Sequence, residues 1–381
     1  MKRIELNDFQ ASWRQHRAAV RSAVDRVGES GWFILGPEVE AFERVLAEAW
    51  GIDHAVGCGS GLDAIELGLR AAGIAAGDKV LTTPLSAFAT TLAIVRAGGV
   101  PVFADVDEAG LIDLALCDAR LEAGLENDEP IRFMVPVHLY GHSLDLAVLR
   151  RLQETRGCAV VEDCAQAIGA THNGEPIGSA GVAAAVSFYP TKNLGALGDG
   201  GALLTSRDEV AAKARCLRDY GQRGRFDHVM LGMNSRLDEI QAAILSRVFL
   251  PKLEWATHQR RATAARYRRE IRNDALRLPE PPAGSTSVWH LFPVLVEASD
   301  RDAERVRAGF REHLDAAAIE SGVHFPKLIP DQPALCDLVS SLEVDRARAF
   351  ARREVSLPIH PYLSDGDVDR VVEACNAWKA A

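Results

Sequence analysis

The chain has 381 residues, 48% of them hydrophobic, and a formal charge of -10. That is enough for a sizeable core in two domains or one large domain with a satellite, and an acidic balance without a basic stripe excludes the footprint of a nucleic-acid binder. Seven scattered cysteines, never spaced as CxxC, argue against a disulfide framework or a zinc site, and MKRIELNDFQ lacks the apolar core of a signal peptide, so a soluble cytoplasmic protein with no membrane partner is expected.

From about residue 54 to 206, short apolar runs alternate with helical patterns. HAVGC is followed by a helix from 62, KVLTTP by one from about 88, PVFADVD by one near 113 and FMVPVHLY by one from 144; CAVVED, AAAVSFYP and GALLTS complete the series. Strands this uniformly apolar are buried on both faces, which predicts an α/β domain with a mostly parallel sheet sandwiched by helices. Further helices are expected over 208–220 and from about 236 to 271, interrupted at Pro251, whose ring and missing N–H break the helical ladder. LPEPPAGSTS, 278–287, reads as a linker, VWHLFPVLV as a strand, 301–318 as a helix, VSLPI as a short strand and 365–379 as a terminal helix. The expected division is a large domain over 1–250, N-terminal helix included, and a smaller α+β domain over 251–381.

Four stretches carry chemistry. In GCGSGLDAIEL, 57–67, a glycine-rich turn leads into a helix whose free N–H groups and dipole face an anion, unless it is only a tight connection. HLYGH, 138–142, offers two histidines four apart, but a strand end and a glycine spoil the helical spacing that would suit a metal, and none is expected. CAVVEDCAQ ends an apolar strand on Asp163, either facing the crevice at the carboxyl edge of the sheet or capping the next helix. SFYPTKNLGALGDGG, 187–201, sets Lys192 among glycines and small apolar residues after a buried strand; it either pairs with a carboxylate or uses a depressed pKa for covalent chemistry. A lysine able to form a Schiff base and an aspartate able to keep a pyridine nitrogen protonated are what pyridoxal 5'-phosphate (PLP) requires of a protein, and the glycine turn supplies a phosphate cradle. A nicotinamide oxidoreductase is the rival; against it, the turn lacks the full GxGxxG spacing and no acidic residue ends KVLTTP.

Together with WFILGPEVEAFE, GMNSRLDEIQAAIL, WHLF and SLPIHPYLS, these stretches resemble, in order and over almost the whole chain, the sugar aminotransferase family often called DegT, within the fold-type I PLP enzymes. The resemblance implies a seven-stranded-type sheet and a homodimer with shared active sites. It implies that Lys192 carries the cofactor, Asp163 pairs with its ring nitrogen and Gln166 lies near its phenolate oxygen. Ser187 and the amides of Ser60 and Gly61 would hold the phosphate, with Asn234 reaching it from the neighbouring subunit. Family members usually stack an aromatic ring on the cofactor just after a Ser/Thr. In PLSAFATT the ring comes one place later, at Phe88, which is either the cofactor contact or core. Pro330 stands where similar proteins often carry a histidine, and Tyr189, Tyr220, Arg236 and His324 fall where similar enzymes approach their sugar nucleotide.

The implied reaction moves an amino group from L-glutamate to a nucleotide-linked keto-deoxysugar. GSGLDA, RDYGQ and GMNSRLDEIQ look most like members that aminate the third carbon of a dTDP-linked sugar. Amination of a fourth carbon or of a cyclitol shares the same catalytic set. A PLP-binding regulatory protein without turnover is the alternative of another class. The related dehydratases replace the lysine with histidine, so Lys192 argues against dehydration.

Overall fold

The computed structural model describes residues 2–336, 338 and 343–380. Seven strands, β1 (His54–Cys58), β2 (Lys79–Thr82), β3 (Val100–Phe103), β4 (Ile131–Val135), β5 (Ala159–Asp163), β6 (Ala183–Ser187) and β7 (Gly201–Thr205), form one sheet in the order β1-β7-β6-β5-β4-β2-β3. Pairs among β2 to β6 are parallel, and β7 runs against both β6 and β1. The reversal follows from the connection: the loop carrying Lys192 holds no crossover helix, so the chain can only return antiparallel. Every parallel strand therefore ends on the edge where β7 begins. Helices α1 (Phe9–Ser30), α2 (Pro37–Trp50), α3 (Gly61–Ala71) and α4 (Phe88–Arg96) open the chain's helical layers.

The α/β class, the mostly parallel sheet and the strand positions match the sequence reading. Two helices it did not anticipate are α2 and Asp345–Arg353. The expected 236–271 helix breaks as Pro251 dictates: Glu239–Ile244 is α-helical, Leu245–Phe249 widens to a π turn, Leu250–Lys252 tightens to a 3-10 turn, and a long helix then runs over Leu253–Glu270. VWHLFPVLV is a strand only over Phe292–Val296, because Trp289 takes a left-handed φ of 49°. Gly141, at φ 96°, passes so close that a Cβ there would lie 2.6 Å from the His290 nitrogen. Glycine is what permits this crossing of two backbones. Within the expected linker, Ser285–Thr286 pairs with Thr171–His172 and stitches the segment to the sheet domain.

One large core lies on the α2 side of the sheet and a second under α3, while a separate core is built around Tyr267, Phe292, Phe310 and Trp378 on the three-stranded sheet of Leu276–Arg277, Phe292–Val296 and Glu354–Leu357. Segments cross between the cores: Ile4 joins the core around Tyr267, and Val344, Ala347 and Phe350 join the largest.

Glu239 ties distant parts together. Fully buried, its carboxylate accepts N–H groups from Gly36 at 2.8 Å, Glu38 at 2.9 Å and Val39 at 2.9 Å, satisfying the first turn of α2. Three charge-assisted bonds at a helix N-terminus combine capping with the helix dipole. Glu239→Gln is expected to lower stability by about 2–3 kcal/mol, since it removes the charge and sets an amide against donor N–H groups. Equilibrium urea unfolding measures it; an unchanged midpoint would show the cap to be dispensable.

Candidate active site

The carboxyl ends of β1, β5 and β6 bring the candidate residues to one edge of the sheet. Asp163 closes β5 and is 4% exposed. Its Oδ2 accepts from the Thr90 hydroxyl at 2.8 Å and its Oδ1 from the Ala165 N–H at 3.0 Å. Thr90 is held in turn by Ser86, 3.1 Å away and four residues earlier. Burial pushes the Asp163 carboxyl above the usual carboxylate range, while the Ala165 N–H, the Thr90 hydroxyl and the Lys192 charge pull it down. A buried carboxylate with only these donors is short of a cation.

Lys192 lies in the loop after β6, its N–H bonded to the Tyr189 carbonyl at 2.8 Å. Its side chain keeps some accessible surface yet is densely surrounded by protein, and this burial pushes the ammonium down to about 8, with Asp163 acting the other way. Among the described residues its Nζ has no hydrogen bond or ion pair, so the reading as a paired structural lysine finds no partner. A lysine depressed in this way reacts as a neutral amine near neutral pH. Reductive methylation of the cofactor-free protein, mapped by mass spectrometry, should therefore mark Lys192 with a midpoint near pH 8. A midpoint above pH 10, as for exposed lysines, would contradict the burial argument.

Ser60 caps α3, its hydroxyl accepting from the Asp63 N–H at 3.1 Å, and the first N–H groups of the helix, from Gly61 on, have no helical acceptor. A Cβ on Gly61 would fall 2.6 Å from the Ser187 Cβ, so the helix start can touch the end of β6 only as glycine. The Ser187 hydroxyl accepts from the Tyr189 N–H at 3.3 Å and keeps its own hydrogen to donate. Free N–H groups and a hydroxyl in one corner fit a phosphate. Gln166 accepts the Tyr140 N–H on Oε1 at 2.9 Å; a backbone amide can only donate, so Nε2 is left as a donor for another group. The anion corner, the cation-poor carboxylate and the unpaired lysine all fit PLP.

His324 approaches from the other lobe. Its Nδ1 lies 2.9 Å from the Ser356 hydroxyl, its N–H donates to Glu354 at 2.5 Å, and its carbonyl accepts the Tyr140 hydroxyl at 2.5 Å. Burial first, then the charge of Lys192, pushes the His324 imidazole down to about 4, so it is neutral at working pH. Phe88 is half-buried and packs against the cluster of Phe103, Ile329 and Leu335. Tyr220, Arg236 and Asn234 form a group of their own at the surface: the Arg236 guanidinium stands 5.0 Å from the Tyr220 ring and 2.8 Å from Asp219, which bridges to Asn234. Tyr189 is also exposed.

The histidines of HLYGH diverge. His142 Nδ1 lies 2.9 Å from the Ser287 hydroxyl, whereas His138 Nδ1 accepts the Leu144 N–H at 3.0 Å and its Nε2 therefore donates to Glu162 at 2.9 Å. Cys164 completes a trio of possible ligand atoms with them. Each Glu162 oxygen already has two donors, from Ala180 and Gly181 on one side and from Gly178 and His138 on the other. Burial alone would raise the Glu162 carboxyl, but the His138 hydrogen bond and these N–H groups hold it below the usual range.

Sequence reasoning missed Thr90 and Tyr140. The four-residue spacing of Ser86 and Thr90 at a helix start places both hydroxyls on one face and could have found the first. Tyr140 acts through its backbone N–H, its hydroxyl on the His324 carbonyl and a left-handed φ of 61°, contacts that leave no mark in the sequence.

The sequence profile of the DegT/DnrJ/EryC1/StrS aminotransferase family matches residues 15–376. A dTDP-3-amino-3,4,6-trideoxy-alpha-D-glucose transaminase of Streptomyces venezuelae is 39% identical over 379 residues, covering 99% of this chain and 96% of its own. The erythromycin biosynthesis sensory transduction protein EryC1 of Saccharopolyspora erythraea is 40% identical, covering 98% and 99%. The crystal structure of S. venezuelae DesV in complex with a ketimine intermediate superposes with a TM-score of 0.91 at 39% identity, covering 99% of each chain.

Proposed function

Because the chain belongs to the DegT/DnrJ/EryC1/StrS aminotransferase family, we propose that it binds PLP at Lys192 and transfers the amino group of L-glutamate to the third carbon of a dTDP-linked keto-deoxysugar in amino sugar biosynthesis. The observation that carries this reading is Lys192: depressed to about 8, without a hydrogen-bond or ion-pair partner for its Nζ among the described residues, and within the field of a buried carboxylate. PLP, when bound, supplies an electron sink that acidifies the proton on the carbon bearing the amine.

The chain's own residues do the rest. The Gly61 N–H and the Ser187 hydroxyl would hold the phosphate. Asp163, held by Thr90, would provide a fixed negative charge for the ring nitrogen, and the Gln166 Nε2 would donate to the phenolate oxygen. The neutral Lys192 amine would take the proton from Cα of the donor; with the amino group retained on the bound cofactor and water supplying the keto oxygen, the donor would leave as 2-oxoglutarate. In the second half that nitrogen would pass to the sugar's ketone carbon, whose oxygen leaves as water, and the Lys192 ammonium would deliver the proton there. The third-carbon preference is supported by the matched S. venezuelae transaminase.

The same reading makes the protein a homodimer of the cytoplasm that shares its active sites through Asn234. Support comes from exposed apolar side chains, Trp32 at 57%, Phe226 at 78% and Leu231 at 91%, which a monomer would leave in water. Seven free cysteines fit a reducing compartment, and among the described residues no helix is long and apolar enough to cross a membrane. The regulatory reading has the name of EryC1 in its favour.

The deciding experiment follows the visible absorption of the PLP-loaded protein as L-glutamate is added without sugar. The yellow band is expected to fade with formation of 2-oxoglutarate, and a 3-keto sugar nucleotide then to restore it faster than a 4-keto one. A band that persists without 2-oxoglutarate would defeat the aminotransferase reading and favour a regulatory PLP protein.

A further inference from the structure

Arg260, on the long helix Leu253–Glu270, is 4% exposed and has no acidic partner among the described residues. Its Nη1 donates to the carbonyls of Trp289 at 3.3 Å, His290 at 3.4 Å and Ile359. Its Nε is buried without an acceptor, and its Nη2 has no protein hydrogen bond among the described residues. Three carbonyl dipoles thus solvate one corner of the guanidinium and leave the other side unmatched. A buried cation in that condition is costly unless something brings it an anion.

The residue lines a cavity of about 330 Å³ that Lys192 and Lys252 also line. Among the described residues Asp8 is the one carboxylate on its wall, and it already accepts the Ala11 N–H at 2.7 Å as the cap of α1. Both histidines on the wall, His16 and His360, are pushed toward the neutral form by burial. Arg260 and Lys252 against one carboxylate that is already engaged make the cavity an anion site, and its volume lies at the lower end of small-molecule sites, about 300–1,000 Å³.

We propose that the open Nε–Nη2 side of Arg260 binds a carboxylate of the amino donor, in the cavity that presents Lys192. The planar edge of a guanidinium matches a carboxylate with two parallel N–H bonds. Lys252, exposed at the same cavity, is placed for the second carboxylate of a diacid, which gives a donor of the L-glutamate class its advantage over a monoacid. This inference rests on the aminotransferase reading and specifies how its donor is recognised.

The test is calorimetric titration of the PLP-loaded protein with glutarate, the five-carbon diacid that has no amine to react, and with dTDP. Arg260→Lys keeps the charge and loses the planar edge. It is expected to weaken glutarate by at least about tenfold and leave dTDP unchanged. Equal glutarate affinity in both proteins, or a loss confined to dTDP, overturns the proposal, the second outcome giving the guanidinium to the substrate's phosphates. Should Arg260→Lys fail to fold by circular dichroism, the wild-type protein decides: glutarate must bind and its diamide, glutaramide, must not; binding of both or of neither overturns the proposal. Glutarate binding involves no amino transfer. A protein that binds it through Arg260 but leaves L-glutamate unconsumed would therefore refute the proposed function and not the site.

Discussion

Lys192→Ala is expected to abolish amino transfer, lowering the rate of 2-oxoglutarate formation by at least about a thousandfold, because one amine serves both as the nucleophile and as the carrier of the substrate proton. Lys192→Arg is expected to be equally inactive. A guanidinium stays protonated at any working pH, so this variant keeps the charge while removing the neutral amine. The pair separates two roles that alanine alone confuses: if Arg restored turnover, Lys192 would be acting as a fixed charge beside Asp163 and not as a base. Lys192→Ala should not harm the fold, since its Nζ has no hydrogen bond among the described residues to lose; Lys192→Arg forces a permanent charge into the same burial, so its folding is checked by circular dichroism before its rate is read. Single-turnover mixing with L-glutamate measures the effect directly, and retained transamination in Lys192→Ala would sink the mechanism.

Asp163→Asn should lower the same half-reaction by roughly a hundred- to a thousandfold, the scale seen when one preorganised electrostatic partner is removed from a reacting centre. The substitution preserves shape and exchanges a buried charge for an amide, so melting should change little while catalysis falls. The amide oxygen can keep the Ala165 N–H while the Thr90 hydroxyl, able to accept as well as donate, turns to accept from the amide NH2, which keeps the side chain in place. A near-normal rate in a folded Asp163→Asn protein would mean that the carboxylate only caps the turn to Ala165. That is the bland reading of CAVVEDCAQ, and this variant decides between the two.

The parts of the site that could be read from the sequence are those fixed by local order. Asp163 and Lys192 each follow a strand written as a run of small apolar residues, and Ser60 and Gly61 stand at a strand-to-helix turn, so their place at the sheet's carboxyl edge follows from topology alone. Thr90, Tyr140 and Arg260 act through contacts between segments distant in sequence. Arg260 stands in HQRRATAARYRRE, where nothing local separates it from arginines that face water. Its burial is decided by the carbonyls of Trp289, His290 and Ile359, which no periodicity announces. The strand in VWHLFPVLV starts only at Phe292 for the same reason: the backbone crossing at Gly141 forces Trp289 out of the extended region. Phe88 remains tied to its packing on Phe103, Ile329 and Leu335, a core contact that the motif comparison alone did not separate from a cofactor contact.

The carboxylate of Glu239 on the first turn of α2 also sets a clock for biosynthesis. Val39 waits for a partner 200 residues further along the chain. At about 5–20 residues per second a ribosome takes roughly 10–40 s to make that stretch. During this interval the nascent helix carries orphan N–H groups, and β1 also lacks β7, its only neighbour in the sheet. The first turn of α2 and the β1 edge are thus made early and locked late, and through that interval they stay open to wrong partners.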